Sequence, residues 1–124
     1  MNFRRPRVKN DKHLDFVRSL PCCICGNNIE SEAAHIRMGC LELGKRTTGK
    51  QEKPSDCWTI PLCGEHHREQ HHQNEGKFWK GYGIDPFVIA MALYASSGDF
   101  PAGETIIRHR GNGHANSTLS SLVE

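Results

Sequence analysis

The stretch PLCGEHHREQHH, residues 61–72, sets one cysteine and four histidines within twelve positions. How those side chains are shared decides the fold. From Gly64 to about Trp79 the chain lacks proline and is rich in Glu, Gln, Arg and Lys, which predicts a helix despite few apolar residues. Just before it, Trp58, Ile60 and Leu62 alternate with polar or turn residues, so CWTIPLC reads as a strand running into a turn. On such a helix His67 and His71 lie four residues apart on one face and can grip one cation, while His66 projects about 100° away from His67. His72 falls outside both faces. One helix start can therefore feed two metal sites.

The first site needs a second knuckle, and Cys22-x2-Cys25 supplies it. Together with Cys63-x2-His66 it makes a Cys3His set whose spacing lets the side chains bend round one tetrahedral structural Zn²⁺, with ligands at roughly 2.0 to 2.3 Å. Cys23 could stand in for Cys22, although its one-residue gap to Cys25 fits a knuckle less well. The knuckles are separated by 37 residues, wide for a DNA-reading finger but suited to a staple that ties one segment to the start of a helix. Cys40 and Cys57 have no partner at ligand spacing and read as packing residues.

A chain of 124 residues has room for one small domain with a modest core, for which a metal staple is a natural remedy. Six cysteines could form disulfides, but MNFRRPRVKN offers no apolar segment that a signal peptidase would recognise, so a reducing cytoplasm and metal are expected. No window approaches the length of a membrane-spanning helix. Net charge is +2, with Arg4, Arg5, Arg7, Lys9 and Lys12 set against Asp11 in the first twelve residues. Residues 1–12 are thus expected to form a basic arm able to neutralise phosphates, residues 13–100 the domain, and residues 101–124 a polar tail.

Within the domain, Asp11 is expected to cap a short helix that buries Leu14, Val17 and Leu20 and stops at Pro21. CCICGNNIE forms a turn, Ile29 to Ile36 a strand, and Arg37 to Pro54 a long loop or irregular hairpin. Asp85-Pro86 opens a further helix, FVIAMALYAS, whose nearly continuous apolar run predicts burial. Trp58, Phe78 and Trp79 are assigned to the core. The fold class is α+β.

CCICG, AAHIR, KPSD, IPLC and HHREQH, in this order over about residues 20–95, resemble the HNH endonucleases of the ββα-metal fold. The similarity is strongest to the phage-associated branch that includes RecA-dependent recombination-enhancement nucleases. The resemblance implies a metal-dependent DNA endonuclease in which His35 is the general base and Asp56 the middle polar residue. His67 and His71 would hold a catalytic divalent ion such as Mg²⁺, Mn²⁺ or Zn²⁺. Many members place an acidic or other ligand just before the general base, where this chain has Ala34, so the third ligand must come from elsewhere, with Asp56 the leading candidate, or be water. Arg37, Lys45, Arg46, Lys50 and Lys53, between the strands, would join Arg4, Arg5 and Arg7 in contacting DNA phosphates. The resemblance further implies DNA and a RecA-type filament as partners, no membrane, and a phage or prophage origin in a bacterial cytoplasm. Because some relatives are degraded, a zinc-containing module that binds DNA or a recombinase without cutting is the alternative.

Overall fold

The computed structural model describes residues 7–27, 30–45, 47–48 and 54–110. Its centre is an antiparallel pair, β1 (Ser31–His35) and β2 (Thr59–Cys63), in a register that sets Ser31 against Cys63 and His35 against Thr59. Alternation along β1 sends Glu32 and Ala34 to one face, with Leu62 and Ile60 beside them, and Ser31, Ala33 and His35 to the other. Ala34 in β1 and Ile60 and Leu62 in β2 are buried as expected, but β2 is buried on both faces from Thr59 to Leu62 rather than alternating. A two-stranded pair is marginal by itself, and helices pack on it: α1 (Asp11–Arg18) against both strands and α2 (Gly64–His71) against both strands. The result is a small α+β fold.

α1 buries Leu14 and Val17, and Leu20 just beyond its end, as the spacing predicts, together with His13 and Phe16. Its cap is Asn10, not Asp11: the Asn10 carboxamide oxygen accepts the His13 N–H at 3.0 Å. Asp11 becomes the first helical residue, where its charge complements the helix dipole.

The single helix expected from Gly64 to Trp79 is two. α2 ends at His71, and α3 (Glu75–Gly81) starts afresh from Asn74, whose side chain accepts the Lys77 N–H at 3.0 Å. Glu75 explains the break. Its carboxylate accepts the backbone N–H groups of Arg37 and Met38, the Gln70 amide and the Trp79 indole, which draws α3 across the exit of β1.

α4 (Pro86–Ala95) is capped by Asp85, whose carboxylate accepts the Phe87 and Val88 N–H groups. It buries Ile89, Ala90 and Leu93, but Val88, Met91 and Tyr94 are exposed, so the expected full burial holds for one side only. An apolar helix packed at the edge of a small domain cannot cover its whole circumference.

The expected tail contains another helix, α5 (Phe100–His109), capped by Asp99. It packs through Ile107 and Gly103, and its last turn leads to Arg110, which donates to the carbonyls of Cys23 and Ile24. The fold therefore runs through Arg110 rather than ending near residue 100; residues 111–124 lie outside the described residues. A Cβ at Gly103 would meet Phe16 Cζ at 2.7 Å and Leu20 Cδ2 at 2.9 Å. Gly103→Ala is accordingly expected to lower stability by about 1 to 3 kcal/mol through overpacking, despite the better helix propensity of alanine, as read from urea unfolding midpoints.

Trp79, Phe78, Leu20, Ile36, Ile60, Leu62 and Leu93 form the middle of the core. Trp58 is half-buried against it. No helix among the described residues is long and apolar enough to cross a membrane.

Candidate functional site

The two knuckles meet. The ligand atoms of Cys22, Cys25, Cys63 and His66 all lie within 4.8 Å of one another. Cys25 Sγ is 4.0 Å from Cys63 Sγ, and His66 Nδ1 is 3.7 Å from Cys22 Sγ and 3.2 Å from Cys63 Sγ. Tetrahedral bonds of roughly 2.0 to 2.3 Å place neighbouring ligands about 3.5 to 3.8 Å apart, so this cluster can hold a metal such as zinc with small adjustments.

Local backbone builds it. Gly26, with φ of 75°, closes the first turn while its N–H donates to the Cys22 carbonyl at 2.8 Å. The end of β2 delivers Cys63, and the first turn of α2 delivers His66. Burial by itself would push the Cys22 thiol up, but the N–H groups of Cys25, Cys63 and Ile24 overcome this and hold it below the ordinary thiol range. That favours the thiolate that binds metal.

Cys23 is not part of the cluster. Its N–H bonds the Pro61 carbonyl, and burial pushes its thiol up to about 12. Cys57 lines an apolar hollow of about 280 Å³ with Leu43, Trp58, Met91, Tyr94 and Ala95, and burial raises its thiol too.

His67 and His71 also come together, with their Nε2 atoms 3.3 Å apart. His67 Nδ1 lies 2.6 Å from Glu32 Oε1. A carboxylate at neutral pH can only accept, so Nδ1 donates to Glu32, and Nε2 is the atom that faces His71. The 3.3 Å separation is that of a hydrogen bond between the two rings, and it is also close to the about 3.4 Å between two nitrogens on one tetrahedral ion at roughly 2.0 to 2.1 Å. A carboxylate behind a ligand histidine is the usual orienting contact in metal sites. Partial desolvation, the His67 ring and Arg37 hold His71 below the ordinary imidazole range, in the neutral form that binds metal.

His35 faces a different partner. Its Nε2 donates to Asp56 Oδ1 at 3.0 Å. Asp56 is 1% exposed. It accepts from Arg7 at 2.8 Å and from the Asn10 N–H at 2.7 Å. Burial alone would raise its carboxyl, but Asn10, His35 and Arg7 hold it below the usual carboxylate range. Asp56 therefore orients His35. Neither Asp56 nor Glu32 joins His67 and His71 in a group of three ligand atoms among the described residues, and Glu32 meets His67 at Nδ1, the nitrogen that does not face His71. Gln70, on α2 between His67 and His71, donates to the His35 carbonyl at 3.3 Å and so links the two groups.

The expected phosphate contacts fare unevenly. Lys45 is buried with its ammonium donating to the Met38 carbonyl at 2.8 Å, so it belongs to the interior of its loop. Basic charge in a loop signalled exposure in the sequence, whereas here the long side chain turns inward to satisfy a carbonyl. Arg7 is tied to Asp56 and to the Pro54 carbonyl, which docks the start of the chain on the loop before β2. Arg37 is half-buried at the exit of β1. Arg4, Arg5, Arg46, Lys50 and Lys53 lie outside the described residues. His72 is exposed.

His13 adds a pH response. It is buried, with Nδ1 2.8 Å from Ser97 Oγ, and desolvation lowers its pKa against the opposing pull of Asp56. The unfolded chain then takes up a proton near pH 6.5 that the folded chain refuses, so stability must fall as pH drops below about 6.5. The Asp56 network adds a further loss below about pH 4. His13→Gln should flatten the decline in thermal midpoint between pH 7 and 5 relative to wild type, while the loss below pH 4 remains.

Fold and cluster together define a small α+β protein with a two-stranded sheet and a Cys3His set able to bind metal. By sequence, residues 1–97 match the model of DUF968, a protein of unknown function, and the chain belongs to that family. No curated protein and no solved structure matches it.

Proposed function

We propose that this chain is a metal-dependent DNA endonuclease of the ββα-metal class, with one structural zinc and one catalytic divalent ion. The observation that carries the reading is the His67/His71 pair, with nitrogens at single-ion separation, on the helix that also bonds the His35 carbonyl. The Cys3His set would hold zinc and fix the start of that helix. His67 and His71 would hold the second ion, and Glu32 would orient His67 from the strand face of Ala34, where many HNH endonucleases carry a ligand. That ion would supply Lewis-acid stabilisation to a phosphodiester and its departing 3′ oxygen.

The residues of the chain divide the remaining work. Asp56 would orient the His35 ring through Nε2, as a general base working near neutral pH requires. Arg7 and Asn10 lock Asp56 in turn, which keeps the imidazole from rotating away. Glu75 holds α2 and α3 against the exit of β1, so the His35 and His67/His71 groups keep a fixed relation.

A second reading is supported by the same Arg7–Asp56–His35 chain, which also ties the N-terminal segment to the loop before β2 and could serve architecture alone. The protein would then be a zinc module that binds DNA or a recombinase without cutting. Nicking of supercoiled plasmid in Mg²⁺ or Mn²⁺, with and without a recombinase filament, separates the two. The endonuclease reading requires chelator-sensitive nicking, and the binding module requires DNA retention with none.

A further inference from the structure

Arg110 follows α5 and lies beyond the residues 1–97 that the family matches. Its guanidinium reaches back to the turn between Cys22 and Cys25. Nε donates to the Cys23 carbonyl at 2.6 Å and Nη2 to the Ile24 carbonyl at 3.3 Å. Nη2 also lies over Gly26, where an added Cβ would be 3.7 Å away. Ile107 and Gly103 already seat α5 on the core, so the choice of carbonyls is informative.

Those carbonyls belong to particular peptide units. The Cys23 carbonyl shares its amide with the Ile24 N–H, which donates to Cys22 Sγ at 3.4 Å. The Ile24 carbonyl shares its amide with the Cys25 N–H, which donates to the same sulfur. Each amide is thus gripped at both ends, by the guanidinium on its oxygen and by a cluster sulfur on its hydrogen. A cation on a peptide oxygen draws electron density from the nitrogen and makes the N–H a stronger donor, as in other chains of linked hydrogen bonds. The sign of the charge also fits. A divalent ion with three thiolates and a neutral imidazole carries about one net negative charge, which a guanidinium beside the turn offsets.

We propose that Arg110 is a positioning residue of the Cys3His metal site. Acting through the peptide units 23–24 and 24–25, it strengthens the two N–H bonds to Cys22 Sγ and raises the affinity of the cluster for zinc. The inference rests on the reading that this cluster holds zinc, and is independent of the second ion and of DNA cleavage. It gives α5 a part in metal retention.

Two variants of the full-length protein test it. Arg110→Met keeps the length of the side chain and removes its charge and donors; Arg110→Lys keeps the charge and one donor group. Zinc affinity, read by competition with a chromophoric chelator, should fall about 10- to 100-fold in Arg110→Met, the usual effect of losing an outer partner of a metal ligand, and recover in part in Arg110→Lys. Helix docking alone does not alter the electrons of a sulfur ligand, so the Co²⁺-substituted protein gives the second readout. With Co²⁺ in excess, the sulfur-to-cobalt charge-transfer band of Arg110→Met should move to lower energy, because weaker N–H bonds leave the Cys22 sulfur richer in electrons. Should Arg110→Met fail to fold, Arg110→Gln, which lacks the charge, must show the same shift. Zinc affinity within twofold of wild type, or an unmoved band, overturns the proposal and leaves the zinc reading standing. A wild type that binds neither zinc nor Co²⁺ overturns both.

Discussion

Removal of the Cys3His metal is expected to unfold the protein. Structural zinc sites contribute on the order of 10 kcal/mol, whereas small domains are stable by only about 5 to 15 kcal/mol in total. Here the cluster ties four segments: the turn after α1, the end of β2, the start of α2 and, through Arg110 on the Cys23 and Ile24 carbonyls, the end of α5. Without the ion, three thiols and an imidazole would crowd one another with nothing to neutralise the thiolates. Cys25→Ser, or a strong chelator, should therefore abolish the cooperative thermal transition seen by circular dichroism. Zinc returned to the chelated wild type should restore it, and Cys25→Ser should not respond. An unchanged thermal midpoint in the apo protein would mean that the core alone suffices.

The second large effect is expected at His35. If this imidazole accepts the proton of the attacking water, His35→Ala should lower plasmid nicking by roughly 10²- to 10⁴-fold, the usual worth of a positioned general base. The side chain is half-buried and contacts Asp56 rather than the metal-binding set, so zinc content and DNA retention should survive the change. Asp56→Asn should be milder in activity but harsher in stability, because it weakens the Arg7 ion pair and the contact that orients His35 together. Loss of DNA retention along with nicking in His35→Ala would point to the architectural reading of the Arg7–Asp56–His35 chain.

Much of this was legible because it is written in short spacings. The two knuckles, the H-x3-H pair, the Asp85-Pro86 cap and the presence of both strands need only neighbours within a few residues. What escaped depends on partners far along the chain. Glu32 meets His67 across 35 residues, and Arg110 meets Cys23 across 87. The break between α2 and α3 follows from the Glu75 carboxylate reaching the backbone of Arg37 and Met38, which no local propensity encodes. Lys45 was misread because a charge in a loop signals exposure until a carbonyl claims its ammonium. α5 was hidden by a polar, glycine-bearing sequence, although its glycine is the very residue that lets it approach Phe16 and Leu20.

The central claim is that α2 serves two separate cation sites, one at each face. Metal content after exhaustive dialysis, followed by titration with Mn²⁺ or Co²⁺, tests it without reference to catalysis. The wild type should retain one tightly held zinc and take up one further exchangeable ion, and a protein carrying both His67→Ala and His71→Ala should keep the zinc and lose the second. A wild type that binds one ion in all, or a double variant that still takes up two, would contradict the account.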